Sequence, residues 1–275
     1  MIHDDIGIWS EIKLEILHEY ASTYSRILAN QRDPSFKHIY IDAFAGSGLH
    51  TSRSSGNLVH GSPLNALDIT PSFREYYFID IDDEKVDSLR SLIGQREDVF
   101  LLGGDCNNIL LSDVFPNLKY EDYRRGLCFL DPYKINLDWQ VVVEASRMGS
   151  MELFINFSTH YINRTILRKK RPDEIDQNKI ILMNKFWGDE TWQSIAYRQQ
   201  ETLFGAEEQK ITNNELAKAY AKRLKDVAGF AYVPEPMPMK NSRGSTIYYL
   251  FFASHKPVAK DIVDGIFRKY RGKGF

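Results

Sequence analysis

The chain has 275 residues, is 43% hydrophobic and 26% charged, and carries a formal net charge of −2. That is ordinary for a soluble globular protein with one large domain or a domain with an appendage. The near-neutral charge offers no global basic field, so a nucleic-acid partner would need a local patch. Two cysteines, Cys106 and Cys128, argue against a disulfide scaffold and against a zinc site. Residues 1–20 lack the apolar segment of a secretory signal, and no run approaches a membrane span; a cytoplasmic protein is expected.

Residues 8–30 place Ile12, Ile16, Leu17, Tyr20, Tyr24 and Ile27 at amphipathic helical spacing. Lys13 and His18 stand among acids there and read as a solvated face. A turn at residues 30–34 leads into a β-favouring run, His38-Ile39-Tyr40-Ile41, which ends on Asp42-Ala43-Phe44-Ala45-Gly46-Ser47-Gly48. Two glycines at spacing two let the backbone turn sharply and approach a ligand, because no Cβ intervenes. Asp42 at the strand's carboxyl end is placed to hold a ligand's ammonium group. Residues 49–60 are polar and read as a loop, either a lid or a surface excursion. Ser62 and Pro63 then open a short helix as N-cap and first turn.

Strand and helix alternate from there: strands at 75–82, 99–102, 126–130 and 151–157, with helices between them. Counting the first, five strands alternate with helices, the signature of a parallel sheet covered on both faces. Residues 158–210 break the rhythm and read as a helical insertion on the ligand edge, with Phe186, Trp187 and Trp192 as its apolar part. A helix from Asn213 to Ala228 follows. The last strands are expected at Phe230–Val233 and Thr246–Ala253, joined as an antiparallel hairpin, before a helix from Val258 to about Tyr270.

In open α/β sheets, ligands bind beyond the carboxyl ends of the strands. Four of the five strands end there in acid: Asp42, Asp80 with Asp82, Asp105 and Asp131. Asp80 is placed to accept both ribose hydroxyls of a nucleoside, and Asp105 to accept an adenine amino group with Cys106 alongside the ring. The competing reading of each acid is an N-cap for the following helix. The histidines show no pairing at metal spacing, and no metal is expected.

Residues Asp42 to Gly48 resemble the first motif of class I S-adenosylmethionine-dependent methyltransferases, close to the form found in nucleic-acid amino-methyltransferases. Asp131-Pro132-Tyr133 is similar to their catalytic tetrapeptide but has one proline where that motif has two. The whole chain resembles the three-Cys-motif partner (TcmP) family. Its carriers are Trp9, Lys13 and Tyr20, Asp42 to Gly48, Gly61-Ser62-Pro63, Asp131 to Asn136, Asn156-Phe157, Phe186 to Trp192, and Tyr248 to Ser254.

The resemblance implies a Rossmann-like class I methyltransferase fold. Its parts would be an N-terminal helical extension (1–32), a cofactor-binding core (33–157), the insertion (158–210), and C-terminal helices with the final strands (211–275). The sheet would be mainly parallel and seven-stranded. S-adenosylmethionine is the implied cofactor, held by Asp42, Phe44, Gly46, Gly48, Asp80, Asp82, Asp105 and Cys106. Asp131, Pro132 and Tyr133 would form the catalytic mouth for methyl transfer to an amine, foremost of a nucleic-acid base. Apart from the resemblance, the basic residues within 160–171, Arg164, Arg168, Lys169, Lys170 and Arg171, read either as a contact for its phosphates or as a solvated helix face. The alternative is a non-catalytic module that works with a three-Cys-motif protein.

Overall fold

The computed structural model describes residues 4–32, 35–167, 172–202, 205–241 and 244–272. Its framework is a seven-stranded sheet. In chain order the strands are β1 (Lys37–Asp42), β2 (Glu75–Asp80), β3 (Val99–Gly103), β4 (Arg124–Leu130), β5 (Met151–Phe157), β6 (Met237–Lys240) and β7 (Thr246–Ala253). Across the sheet they run β3-β2-β1-β4-β5-β7-β6. The first five pair in parallel, whereas β7 is antiparallel to both β5 and β6. This is the α/β, mainly parallel seven-stranded sheet expected from the sequence.

Every residue of β5 is buried, as expected of a central strand covered on both faces. Side chains alternate between two cores. Ile39 and Ile41 of β1, with Cys128 and Ile155, face one core; Tyr40, with Phe129 and Phe154, faces the other. The second core is roofed by α1 (Ile8–Ala29), whose Ile16, Leu17, Tyr20 and Ala21 are almost wholly buried. Tyr20 packs against Phe154 and Phe252 at ring-centroid distances of 5.2 and 4.9 Å. Burying a large apolar side chain contributes roughly 1.5–3 kcal/mol, so this stripe suffices to seat α1 against the sheet.

Further helices are α2 (Ser62–Leu67), α3 (Asp83–Ile93), α4 (Trp139–Arg147), α5 (Gln177–Trp187), α6 (Asn213–Asp226) and α7 (Pro257–Arg271). Helix α5 belongs to the insertion after β5. It ends at Gly188, left-handed at φ +100°, where a Cβ would lie 2.3 Å from Trp139 Cδ1. Arg223 of α6 donates to the Trp187 carbonyl at 3.0 Å and pairs with Asp189 at 2.9 Å, fastening the insertion to the sheet's helical layer.

Three sequence expectations are corrected. Residues 49–60 are a hairpin, Leu49–Ser52 with Leu58–His60, to which Asp4–Ile6 adds a parallel third strand. Its polar residues are the turn, closed by Ser52 N donating to the Asn57 carbonyl at 2.9 Å across Gly56 at φ +71°. The insertion is not helical throughout: it closes with a hairpin, Tyr197–Thr202 against Gly205–Lys210. The sixth strand is Met237–Lys240, within the stretch read as a connection. Phe230–Val233 forms only the bridge Tyr232–Ser254, because Phe230 is buried as a core side chain stacked 5.2 Å from His255. Pro238 is tolerated in β6 because that strand is at the sheet edge.

Candidate active site

The strand order reverses between β1 and β4, and the chain leaves both strands on the same edge. A cleft of about 1010 Å3 opens there. One half is walled by the loops after β1, β2 and β3, the other by the loop after β4, the end of β5, α1 and α5.

The first half begins at Gly46, which adopts φ +66° with nothing within 4 Å of the position a Cβ would take. Its amide donates to Asp80 Oδ2 at 2.8 Å, and Asp80 Oδ1 accepts from the Asp82 amide at 3.0 Å. Asp80 thus ties two loops together and keeps one lone pair on each oxygen for a ligand. Asp82 is the N-cap of α3, accepting from Glu84 N at 3.0 Å. Asp105 caps the short helix Cys106–Ile109, accepting from Asn107 N at 2.7 Å. The capping reading holds for both, although both also line the cleft. Phe44 and Cys106 line it too. Burial, with Asp105 and Asp138 nearby, pushes the Cys106 thiol up to about 12, so it presents no thiolate at neutral pH.

Two candidates stand behind the wall. Gly48, at φ +88°, is absent from the lining; a Cβ there would meet Leu89 Cδ1 of α3 at 2.6 Å, so its missing side chain serves helix packing. Asp42 is fully buried, accepts from Phe44 N at 3.2 Å, and leaves Oδ2 without a hydrogen-bond partner. Burial pushes its carboxyl up to about 7, with the Ser62 hydroxyl and the Phe44 amide pulling the other way.

The second half centres on Asp131, which follows the last residue of β4. Its Oδ2 pairs with Lys13 Nζ of α1, and its Oδ1 accepts from Asn156 Nδ2 of β5 at 2.5 Å. Lys13 is 7% exposed, so the solvated-face reading of this residue is corrected. His18, by contrast, is exposed. Pro132 is buried, whereas Tyr133 is 73% exposed at the mouth. Lys134 follows in a left-handed conformation at φ +63°, its Nζ 5.0 Å from the Tyr133 ring centroid.

Lys13 and Asn156 are the residues that direct reading of the chemistry missed. A signal existed for Lys13: it lies four residues from both Trp9 and Leu17, inside the apolar stripe of α1, where an unpaired charge has no place. Asn156 gave none beyond its place at the end of a strand and among the residues that carry the family resemblance. Of the basic run at the insertion, Arg164 is described and Arg168, Lys169, Lys170 and Arg171 lie outside the described residues. Among the described residues, no group of three or more His, Cys, Asp or Glu could hold a metal ion, and no helix is long and apolar enough to cross a membrane.

No family model matches the chain, and no curated protein matches it. Several solved structures are similar. A Legionella pneumophila protein of family DUF519 is 12% identical, with 91% of each chain covered and a TM-score of 0.45. The methyltransferase domain of a bacterial Hen1 is 10% identical, covering 87% of this chain and 99% of its own, with a TM-score of 0.40. The plantazolicin methyltransferase BamL, solved with S-adenosylhomocysteine and a triazolic analogue, is 10% identical, with coverages of 90% and 88% and a TM-score of 0.39.

Proposed function

We propose that the protein is an S-adenosylmethionine-dependent methyltransferase acting on an amine, foremost an exocyclic amine of a nucleic-acid base. The observation that carries this reading is the meeting of two motifs in one cleft. The Gly46 loop and Asp131-Pro132-Tyr133 face each other across the switch point between β1 and β4.

The residues fit the cofactor. Open space above Gly46 leaves room for a group lying close to the backbone. Asp80 retains acceptor capacity for ribose hydroxyls, and the exposed Ile81 beside it offers an apolar cover for a ring. When bound, the cofactor supplies an electrophilic methyl group on a sulfonium sulfur. The chain's own task is to position the nucleophile. An exocyclic amine is a poor nucleophile because its lone pair is conjugated into the ring. Asp131, with the Pro132 carbonyl, would accept hydrogen bonds from the amine and favour a tetrahedral nitrogen. Tyr133 would stack the base, worth roughly 1–3 kcal/mol, and the proline stiffens the loop. Holding both reactants in line supplies the larger part of the acceleration.

Lys134 and Lys185, both exposed in the lining of the cleft, would meet the phosphates of such an acceptor. The test is transfer of a labelled methyl group to RNA, to DNA and to small amines, with Asp131→Ala as control. Transfer to nucleic acid, abolished in the variant while cofactor binding persists, is the expected result. Full activity in the variant would remove Asp131 from the chemistry.

A further inference from the structure

Lys13 is placed unlike an ordinary surface lysine. A lysine on an amphipathic helix covers apolar surface with its stem and keeps its ammonium in water. Here the residue is 7% exposed and its ammonium turns inward, to an aspartate that is itself part of the cleft wall. The charge lies 5.5 Å from the Phe129 ring centroid and 5.4 Å from that of Tyr248, so aromatic faces from β4 and β7 flank the pair. The helix segment that carries it is tied down by Tyr248 Oη, which donates to the Trp9 carbonyl at 2.9 Å. Burying an ion pair is weak as a stabilising device, since apolar replacement of both partners is often neutral or better. Stability alone therefore gives no reason for a lysine at this place.

The geometry supplies another reason. A carboxylate turns freely about its last torsion unless both oxygens are held. Lys13 holds Oδ2 and the Asn156 amide holds Oδ1, from opposite elements of the fold. Each oxygen keeps one further lone pair, and with 25% of its side chain exposed Asp131 has a face left for a ligand. A carboxylate only accepts, so the Asn156 nitrogen must face it, and the Asn156 Oδ1 is left buried without a partner. The plane of Asp131 is thus set before any acceptor arrives.

We propose that Lys13 is a positioning residue for methyl transfer: through its ion pair with Asp131, opposed by the Asn156 amide, it fixes the carboxylate that receives the acceptor amine. This rests on the methyltransferase reading given above. Lys13 also lines the cleft, but its ammonium is engaged by Asp131, and in this account it acts through that carboxylate.

The test is a double-variant cycle on the full-length chain, using Lys13→Met, Asp131→Asn and the two combined, with Lys13→Arg as the conservative control. Kinetics with saturating S-adenosylmethionine and calorimetry with S-adenosylhomocysteine are read for each. Lys13→Met is expected to lower kcat at least tenfold while KM stays within about threefold and S-adenosylhomocysteine affinity within about twofold. Lys13→Arg, which keeps the charge and a donor, recovers most of kcat. The combined variant is expected to be as slow as Asp131→Asn alone, because the proposal routes the effect of Lys13 through Asp131. The combined variant also removes both charges, so it folds even where a lone uncompensated aspartate does not.

Multiplied losses in the combined variant, or a Lys13→Met that melts earlier at unchanged kcat, would overturn the proposal while leaving the methyltransferase reading intact. Absence of transfer by the unaltered protein would overturn both.

Discussion

On the β2 and β3 side of the cleft, two of the acids are tied within their own loops and the third reaches the neighbouring loop. Asp82 reaches two residues ahead to Glu84, Asp105 reaches two ahead to Asn107, and even the link from Asp80 to Gly46 joins consecutive strands. On the β4 and β5 side, Asp131 is held by Lys13 across 118 residues and by Asn156 across 25. Asp80–Gly46 and Asp131–Asn156 are alike in joining consecutive strands across 34 and 25 residues, so what sets the acceptor half apart is its tie to α1 through Lys13. One of the two holds on Asp131 exists only when α1 is docked.

Removing the anchor of α1 breaks the comparison most severely. Tyr20 is 1% exposed, packs on Phe154 and Phe252, and donates to Glu152 at 2.5 Å. Tyr20→Ala is expected to cost about 3–5 kcal/mol in denaturant unfolding. Where the variant folds, transfer falls further than cofactor affinity.

The same anchor carries a pH signature. Burial raises the Glu152 carboxyl to about 7, with the Tyr20 and Ser254 hydroxyls opposing. Folded Glu152 holds its proton more tightly than unfolded Glu152. Its contribution to stability is thus complete below about pH 4.5 and is lost as pH rises through about 7. His38 works the other way: burial lowers it to about 4, so its contribution is complete above about 6.5 and is lost as pH falls towards 4. Comparing Glu152→Gln with the parent across pH 5 to 8 isolates the first effect. The variant is expected to gain up to roughly 3 kcal/mol relative to the parent over that range. A difference independent of pH would show that the carboxyl is not protonated in the folded chain.

Gly46→Leu sharpens the contrast from the other side. The added Cβ meets no protein atom and the side chain is directed at the space assigned to the cofactor, and the left-handed backbone adds about 1–2 kcal/mol of strain. Cofactor affinity should fall at least tenfold, about 1.4 kcal/mol, with the contacts of Asp131 unchanged in a crystal structure. The smallest effect belongs to Asp82→Ala, which removes one N-cap and should cost about 1 kcal/mol of stability. A loss of cofactor affinity out of proportion to that cost would make Asp82 a ligand group as well as a cap.

The same division explains what the sequence revealed. The alternating elements, the Gly46 loop and the acids at strand ends are local patterns, and each appears in the structure where periodicity puts it. The hairpin of residues 49–60 was hidden because its polar turn outweighs two short strands, of which Leu58–His60 has only Leu58 and Val59 as β-favouring residues. Strand β6 was hidden because Pro238 and two methionines give no alternating β-branched pattern. Lys13 escaped because its role depends on a partner 118 residues away, which periodicity can flag as an anomaly but cannot name. Phe230 is the reverse case: an apolar run that packs without pairing looks the same in sequence as one that does both.

The most direct test of the central claim is the thermal midpoint of the purified chain with and without S-adenosylhomocysteine. At about 100 times its dissociation constant, a ligand of the native state adds roughly 2.7 kcal/mol, which should raise the midpoint by roughly 5 °C in a chain of this size. The account predicts that rise for the unaltered chain and at most about half of it for Gly46→Leu at the same ligand concentration. An unchanged midpoint for the well-folded parent, across millimolar ligand, would contradict the assignment of the cleft to this cofactor.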